Sequence, residues 1–189
     1  YERQVKPILE KRCVVCHGCY DAPCQLNLSS IEGLQRGANK ERIYEARRIG
    51  STAPTRLFID AKNTAQWRSL GFTPIINETV QSPSVESQNS VLYKLLQLKK
   101  QNPQPAVDKL PDSFNLELDR EQTCPTPDSI DKYIKEHPLW GMPYAMPNLQ
   151  MSEFQTLISW IVQGSQAPPP PEPSERVRPQ IRQWEHFFN

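Results

Sequence analysis

No apolar run in this chain of 189 residues approaches the length needed to cross a bilayer, and no charged-then-apolar leader opens it. Net charge is also missing. The 22 Lys and Arg against 21 Asp and Glu leave +1, which gives no electrostatic case for nucleic acid or an anionic membrane surface. Glycine is scarce, at 7 residues against 19 prolines, so long, stiff, irregular connections are expected. There is no internal repeat, phosphate loop, G-x-S-x-G elbow or H-E-x-x-H pair, which removes the matching nucleotide, serine-hydrolase and zinc-protease readings. With 37% hydrophobic and 23% charged residues, the length suffices for one domain with a core, with or without an appendage.

What is present is cysteine, and it is concentrated: four of the five lie between Cys13 and Cys24. Cys13-Val14-Val15-Cys16-His17 has the C-x-x-C-H spacing at which two thiols add to haem vinyl groups while the next imidazole takes an axial iron site. Two intervening residues let both sulfurs reach one porphyrin edge, and His17 then falls beneath the metal. Upstream, Val5, Ile8 and Leu9 form a stripe of helical period, with Pro7 tolerable near the helix start. A short helix is therefore expected to lead into Cys13.

A second cytochrome-like feature stands far downstream. Ser152-Glu153-Phe154-Gln155 has the form of a capping box, so Ser152 is the expected N-cap of a helix ending near Gln163. Met151, Phe154, Leu157, Ile158, Ile161 and Val162 mark its apolar face, and Gly164 is its expected stop. Before it come Met142-Pro143 and Met146-Pro147 on a loop. A thioether is a soft donor suited to the second axial site, so Met142 is the expected distal ligand, with Met146 as its alternative. His137 is a rival five residues before Met142, although a helix-end His favourable to the macrodipole is the simpler reading. His186 is assigned no iron role.

Cys19, Cys24 and Cys124 remain, and covalent haem attachment belongs to an oxidising compartment where disulfides persist. One disulfide is expected. Cys24–Cys124 would close a loop of about a hundred residues, stabilising by about 4–5 kcal/mol on the chain-entropy model, whereas Cys19–Cys24 would close a small one. The long bridge is the preferred choice. The same thiols permit a rival of another class: Cys13, Cys16 and Cys19 with Cys124 could hold a [4Fe–4S] cluster, or with Cys24 a zinc ion.

The intervening chain reads as mostly helical with long coil. Residues 25–30 look extended, 38–49 helical and rich in charge, and 63–70 helical with an Asn63 cap and a Gly71 stop. Val91, Leu92, Leu95 and Leu96 define an amphipathic helix broken before Asn102-Pro103, and Thr126-Pro127-Asp128 opens a helix reaching Glu136. Arg36, Arg56, Arg68 and Trp67 are candidates to hold haem propionates. The expected fold is mostly α: a cytochrome c-like haem domain over 1–166, with long irregular insertions between the C-x-x-C-H helix and the C-terminal helix. A proline-rich linker over 167–173 and an aromatic amphipathic helix over 174–189 follow. That last helix, with Ile181, Trp184, Phe187 and Phe188, either docks back or opens a further domain.

Residues 13–26, C-V-V-C-H-G-C-Y-D-A-P-C-Q-L, resemble the haem-binding signature of the bacterial fatty acid cis–trans isomerases. Further blocks resemble that family: Pro54-Thr55-Arg56-Leu57 with Ile59-Asp60-Ala61, Gly71-Phe72, Leu110-Pro111-Asp112-Ser113-Phe114, His137-Pro138-Leu139-Trp140-Gly141-Met142-Pro143-Tyr144, and the terminal stretch from Gln183. The resemblance implies a periplasmic, haem c-dependent isomerase that converts cis-unsaturated acyl chains of membrane phospholipids to trans without ATP. It implies haem on Cys13, Cys16 and His17, and its G-M-P-[FY] loop favours Met142 over Met146. Family members are several times longer, so this chain is expected to be their amino-terminal haem part, continuing after Asn189 and inactive alone. An electron-transfer cytochrome serving a redox partner is the alternative, and an apolar groove beside the haem would argue against it.

Overall fold

The computed structural model describes residues 1–19, 21–44, 50, 52–78, 88–103 and 123–166. The expected linker and terminal aromatic helix lie outside the described residues. Within them the chain is mostly helical, with six α-helices, one short 3-10 turn and no strand. The helices are α1 Val5–Arg12, α2 Ile31–Arg36, α3 Thr64–Ser69, α4 Val91–Gln101, α5 Ile130–Glu136 and α6 Met151–Val162. Helix α1 packs on α6, α4 on both α5 and α6, and α2 on α3.

The core follows the apolar stripes. Val5 and Leu9 of α1, Leu92, Leu95 and Leu96 of α4, Ile130 of α5 and Leu157 and Ile161 of α6 belong to one buried cluster. Truncating one of its leucines to alanine would remove about 2–5 kcal/mol. A smaller cluster of Ala61, Trp67 and Phe72 lies under α3, with the Trp67 and Phe72 rings edge to face at 5.3 Å.

Two helix starts are as read from the sequence. The Asn63 side chain accepts from Gln66 N at 3.0 Å, and Pro7 sits in the first turn of α1. Ser90, not singled out in the sequence, caps α4, its Oγ accepting from Tyr93 N at 3.4 Å. Gly71 and Gly164, at φ of 83° and 92°, end α3 and α6 in the left-handed region that glycine adopts without strain.

Elsewhere the structure corrects the sequence reading. Helix α6 begins one residue before Ser152, with Gln150 as N-cap. The Glu153 carboxylate accepts from the Gln150 N–H at 2.9 Å, so the box is shifted by two residues. Met151, expected on the apolar face, is more than half exposed. Helix α5 starts at Ile130, because Ser129 first closes a turn on Thr126. The described part of the helix expected over 38–49 is not helical. Ala38 and Thr73 exchange backbone hydrogen bonds at 2.9 and 2.8 Å, and the Asn39 side chain accepts from Glu41 N. Lys-Glu-Arg helix propensity there yields to this pairing. A helix not expected, α2, sits just before it, capped by Ser30 Oγ on Gly33 N at 3.2 Å.

Candidate functional site

Helix α1 ends at Cys13, its C-cap residue, so the C-x-x-C-H segment leaves the helix as two tight turns. Cys16 N and His17 N both donate to Cys13 O, at 3.1 and 2.9 Å. The chain then bends through the 3-10 turn Pro23–Gln25, and Leu28 N donates to His17 O at 2.7 Å. The orientation of α1 is fixed from the other side. Arg12 forms a bidentate pair with Glu153 at the start of α6, at 2.8 to 3.2 Å, with both side chains nearly buried. That pair, chiefly through Arg12, holds the Glu153 carboxyl below its ordinary pKa.

The Met-Pro loop meets α4 at Gly141 and Met142. Met142 N donates to Leu95 O at 3.1 Å, which hooks the Met-Pro loop onto the helix. Gly141 allows the approach: a Cβ there would meet the Lys99 backbone, 2.6 Å from its Cα. No other residue fits without moving the loop or the helix.

Both segments line an apolar cavity of about 1230 Å³, its open mouth included. Its lining includes Cys13, Cys16 and His17, Met142 and Met146, and Leu92, Leu95 and Leu96 of α4. The sequence-predicted attachment thiols, the proximal imidazole and both candidate distal thioethers are therefore brought to one space. His17 Nδ1 is buried and meets no hydrogen-bond partner, although the Leu26 and Pro23 carbonyls favour the protonated ring. Burial dominates and lowers the His17 pKa. Burial likewise pushes the Cys13 thiol up to about 12, so it is protonated at neutral pH.

Cys24 and Cys124 form a disulfide with Cα atoms 5.6 Å apart, both on the cavity wall, and this is the long bridge. Cys13, Cys16 and Cys19 stay free. The bridge removes Cys24 and Cys124 as thiolate ligands, and no cluster of three or more His, Cys, Asp or Glu among the described residues is arranged for a metal ion. The iron–sulfur and zinc readings therefore lose their fourth ligand.

The four propionate candidates are not brought to the cavity. Arg56 pairs with Asp60 at 2.7 Å on an exposed turn, and Trp67 is buried in the smaller cluster. The buried Arg36 guanidinium lies 4.9 Å from the Phe72 ring centroid and bonds to Gln25 O and Thr55 Oγ1. Arg68 donates to the carbonyls of Gln35, Arg36 and Phe72 and pairs with Glu78. The two guanidiniums thus staple α2 to α3. His137 stacks on Trp140 at 4.2 Å and does not line the cavity, in keeping with a helix-end role. Three aromatic wall residues, Tyr133, Trp140 and Tyr144, escape a reading of the sequence, where closeness to the Met-Pro loop is the one signal that points to them.

A second, smaller cavity of about 400 Å³ with its mouth shares Met142 as a wall and is otherwise lined by Lys99, Leu96, Leu149, Met151 and Phe154 among others. No helix of the described residues is long and apolar enough to cross a membrane.

No curated protein and no solved structure matches the chain. The family model for fatty acid cis/trans isomerase (CTI) does, over residues 52–189. The matched span includes α3 to α6 and the Met-Pro loop, and begins after the C-x-x-C-H segment. The chain belongs to the fatty acid cis/trans isomerase family.

Proposed function

We propose that this chain is a cytochrome c-like haem domain of a periplasmic enzyme that isomerises cis-unsaturated acyl chains of membrane lipids to trans. Haem c is attached through Cys13 and Cys16, with His17 as proximal ligand and Met142, or failing it Met146, as distal ligand. The observation that carries this reading is the apolar cavity lined by the free thiols, His17 and the Met-Pro loop together, in a chain of this family. The residues fit the group. Cys13 and Cys16 have the spacing that attachment needs, and His17 and the soft thioethers of Met142 and Met146 line the same space.

When bound, haem supplies a Lewis-acidic, redox-active iron able to draw electron density from an alkene, which lowers the barrier to rotation without net oxidation. The chain's part is to fix geometry and exclude water. Arg12 and Glu153 hold α1, and so His17, against α6. Leu92, Leu95 and Leu96 give the space an apolar wall. Met142 is a weak neutral donor on a loop held by one backbone bond to α4. Were haem bound, Met142 would be a neutral, weakly held donor to it.

Mass spectrometry of the denatured mature protein from a host that matures c-type cytochromes tests the cofactor, with a mass higher than the bare polypeptide by one haem expected. Gas chromatography of acyl chains after incubation with cis-monounsaturated phospholipid tests the activity of the full-length protein. Covalent haem with rapid reduction by a periplasmic donor and no trans product would assign electron transfer instead.

A further inference from the structure

Residues 56–60 form a tight turn closed on itself. Ile59 N and Asp60 N donate to Arg56 O at 3.2 and 3.1 Å, and Arg56 N donates to Asp60 Oδ2 at 2.7 Å. The Arg56 guanidinium adds two bonds to Asp60 Oδ1, at 3.0 and 2.7 Å, so the two charges of the turn balance each other. Leu57 anchors the turn by packing on the small cluster of Ala61, Trp67 and Phe72. Phe58 and Ile59 are left in water, 70% and 63% exposed. Among the described residues, no other adjacent pair of large apolar side chains is so exposed.

The size of this patch selects its partner. The two side chains present on the order of 250 Å² of apolar surface. A stable protein interface takes about 800 Å² from each partner, which this turn does not supply. Contact with a bilayer needs only a few apolar groups reaching about 5–10 Å past the headgroups. No helix of the described residues is long and apolar enough to cross a membrane, so bilayer lipid has to be met from its surface. A net charge of +1 gives that approach no electrostatic help, and apolar insertion must carry it.

We propose that Phe58 and Ile59 form a docking wedge that inserts at the headgroup–acyl boundary of a phospholipid bilayer and holds the protein there. The inference rests on the acyl-lipid reading above and adds to it the surface by which the protein meets its membrane. Neither residue lines the large cavity, so replacing them leaves the proposed haem site as it is.

The test is flotation of the mature, full-length protein with phosphatidylcholine vesicles and with vesicles containing phosphatidylglycerol. Similar binding to both, unchanged by added salt, is expected of an apolar contact. Phe58→Ser combined with Ile59→Ser should weaken binding by about tenfold or more. Met151→Ser, which removes an exposed apolar side chain elsewhere, should keep it. A lipid carrying a diazirine beside its headgroup reads the contact in the wild type itself, with adducts expected on the tryptic peptide 57–62. A wild-type protein that does not float would overturn the proposal, as would a bound protein without adducts on that peptide. Equal binding by the double variant would overturn it too, and binding abolished by salt would give the contact to charge instead. Docking is read without turnover, so a protein that floats through this turn but yields no trans product loses only the isomerase reading.

Discussion

Replacing Gly141 by alanine adds a single methyl group where the Met-Pro loop crosses α4. The new carbon would sit 2.6 Å from Lys99 Cα and 2.8 Å from Lys99 Cβ. Relaxed carbon pairs lie about 3.5–4.0 Å apart, so loop and helix have to separate by about 1 Å. Helix α4 is anchored by Leu92, Leu95, Leu96 and Leu98, all buried, so the loop is the part that moves. Overpacking of this kind costs about 1–3 kcal/mol. Alanine also stiffens the unfolded chain, which returns about 0.4–1 kcal/mol and leaves a net loss. Urea unfolding should therefore show a lower midpoint with an unchanged slope. Because Met142 follows directly and hooks onto Leu95 O, the variant should also weaken the faint red absorption band that a methionine–ferric haem bond gives. A midpoint equal to the wild type, with that band intact, would refute the close approach and the role given to it.

Other outcomes follow from the same geometry. Replacing Cys24 and Cys124 by alanine should cost about 4–5 kcal/mol, read by denaturant unfolding, since the bridge spans 100 residues. Glu153→Gln should lose about 1.5–3 kcal/mol at neutral pH, because the Arg12 pair is nearly buried. The folded pKa of Glu153 is depressed, so its contribution is present above the ordinary carboxylate pKa and is lost as pH falls through the folded value. The gap between wild type and Glu153→Gln should close over that acidic window in thermal melts. His17→Ala should still yield a protein of the same helical content by circular dichroism, with its haem spectrum altered, because His17 lies in turns outside the helices and only its imidazole is lost.

The elements legible in the sequence are those whose signals are local. Asn63 caps α3 through its own side chain, and the leucines of α4 repeat at helical spacing over 11 residues. The C-x-x-C-H segment and the Met-Pro loop are likewise local, and the structure brings them to one cavity. What the sequence hides depends on distant partners. Ala38 is extended because Thr73 pairs with it 35 residues later, and nothing in the Lys-Glu-Arg pattern announces that. Helix α2 has only six residues and includes a glycine, too short for a periodicity to show. Arg36, Arg56 and Trp67 carry the right chemistry for propionates, but their placement is set by contacts with Phe72, Asp60 and each other. Lys99 is hidden for the opposite reason: a lysine near the end of a helix reads as solvated surface until its burial is known.

The disulfide has a consequence for how the protein must be made. Cys24 lies five residues from Cys19 and 100 from its native partner, with Cys13 and Cys16 also far nearer. Loop-closure entropy penalises the native pairing by about 2–3 kcal/mol relative to the Cys19 pairing, a rate disadvantage on the order of a hundredfold in an unstructured chain. Oxidation that runs ahead of folding would thus cross-link the very thiols that line the cavity. Maturation has to keep Cys13 and Cys16 reduced until α5 has docked and brought Cys124 alongside. A chain that carries the Cys24–Cys124 bridge, with Cys13, Cys16 and Cys19 in no disulfide, has therefore folded before it was oxidised, or has had its early mispairings undone.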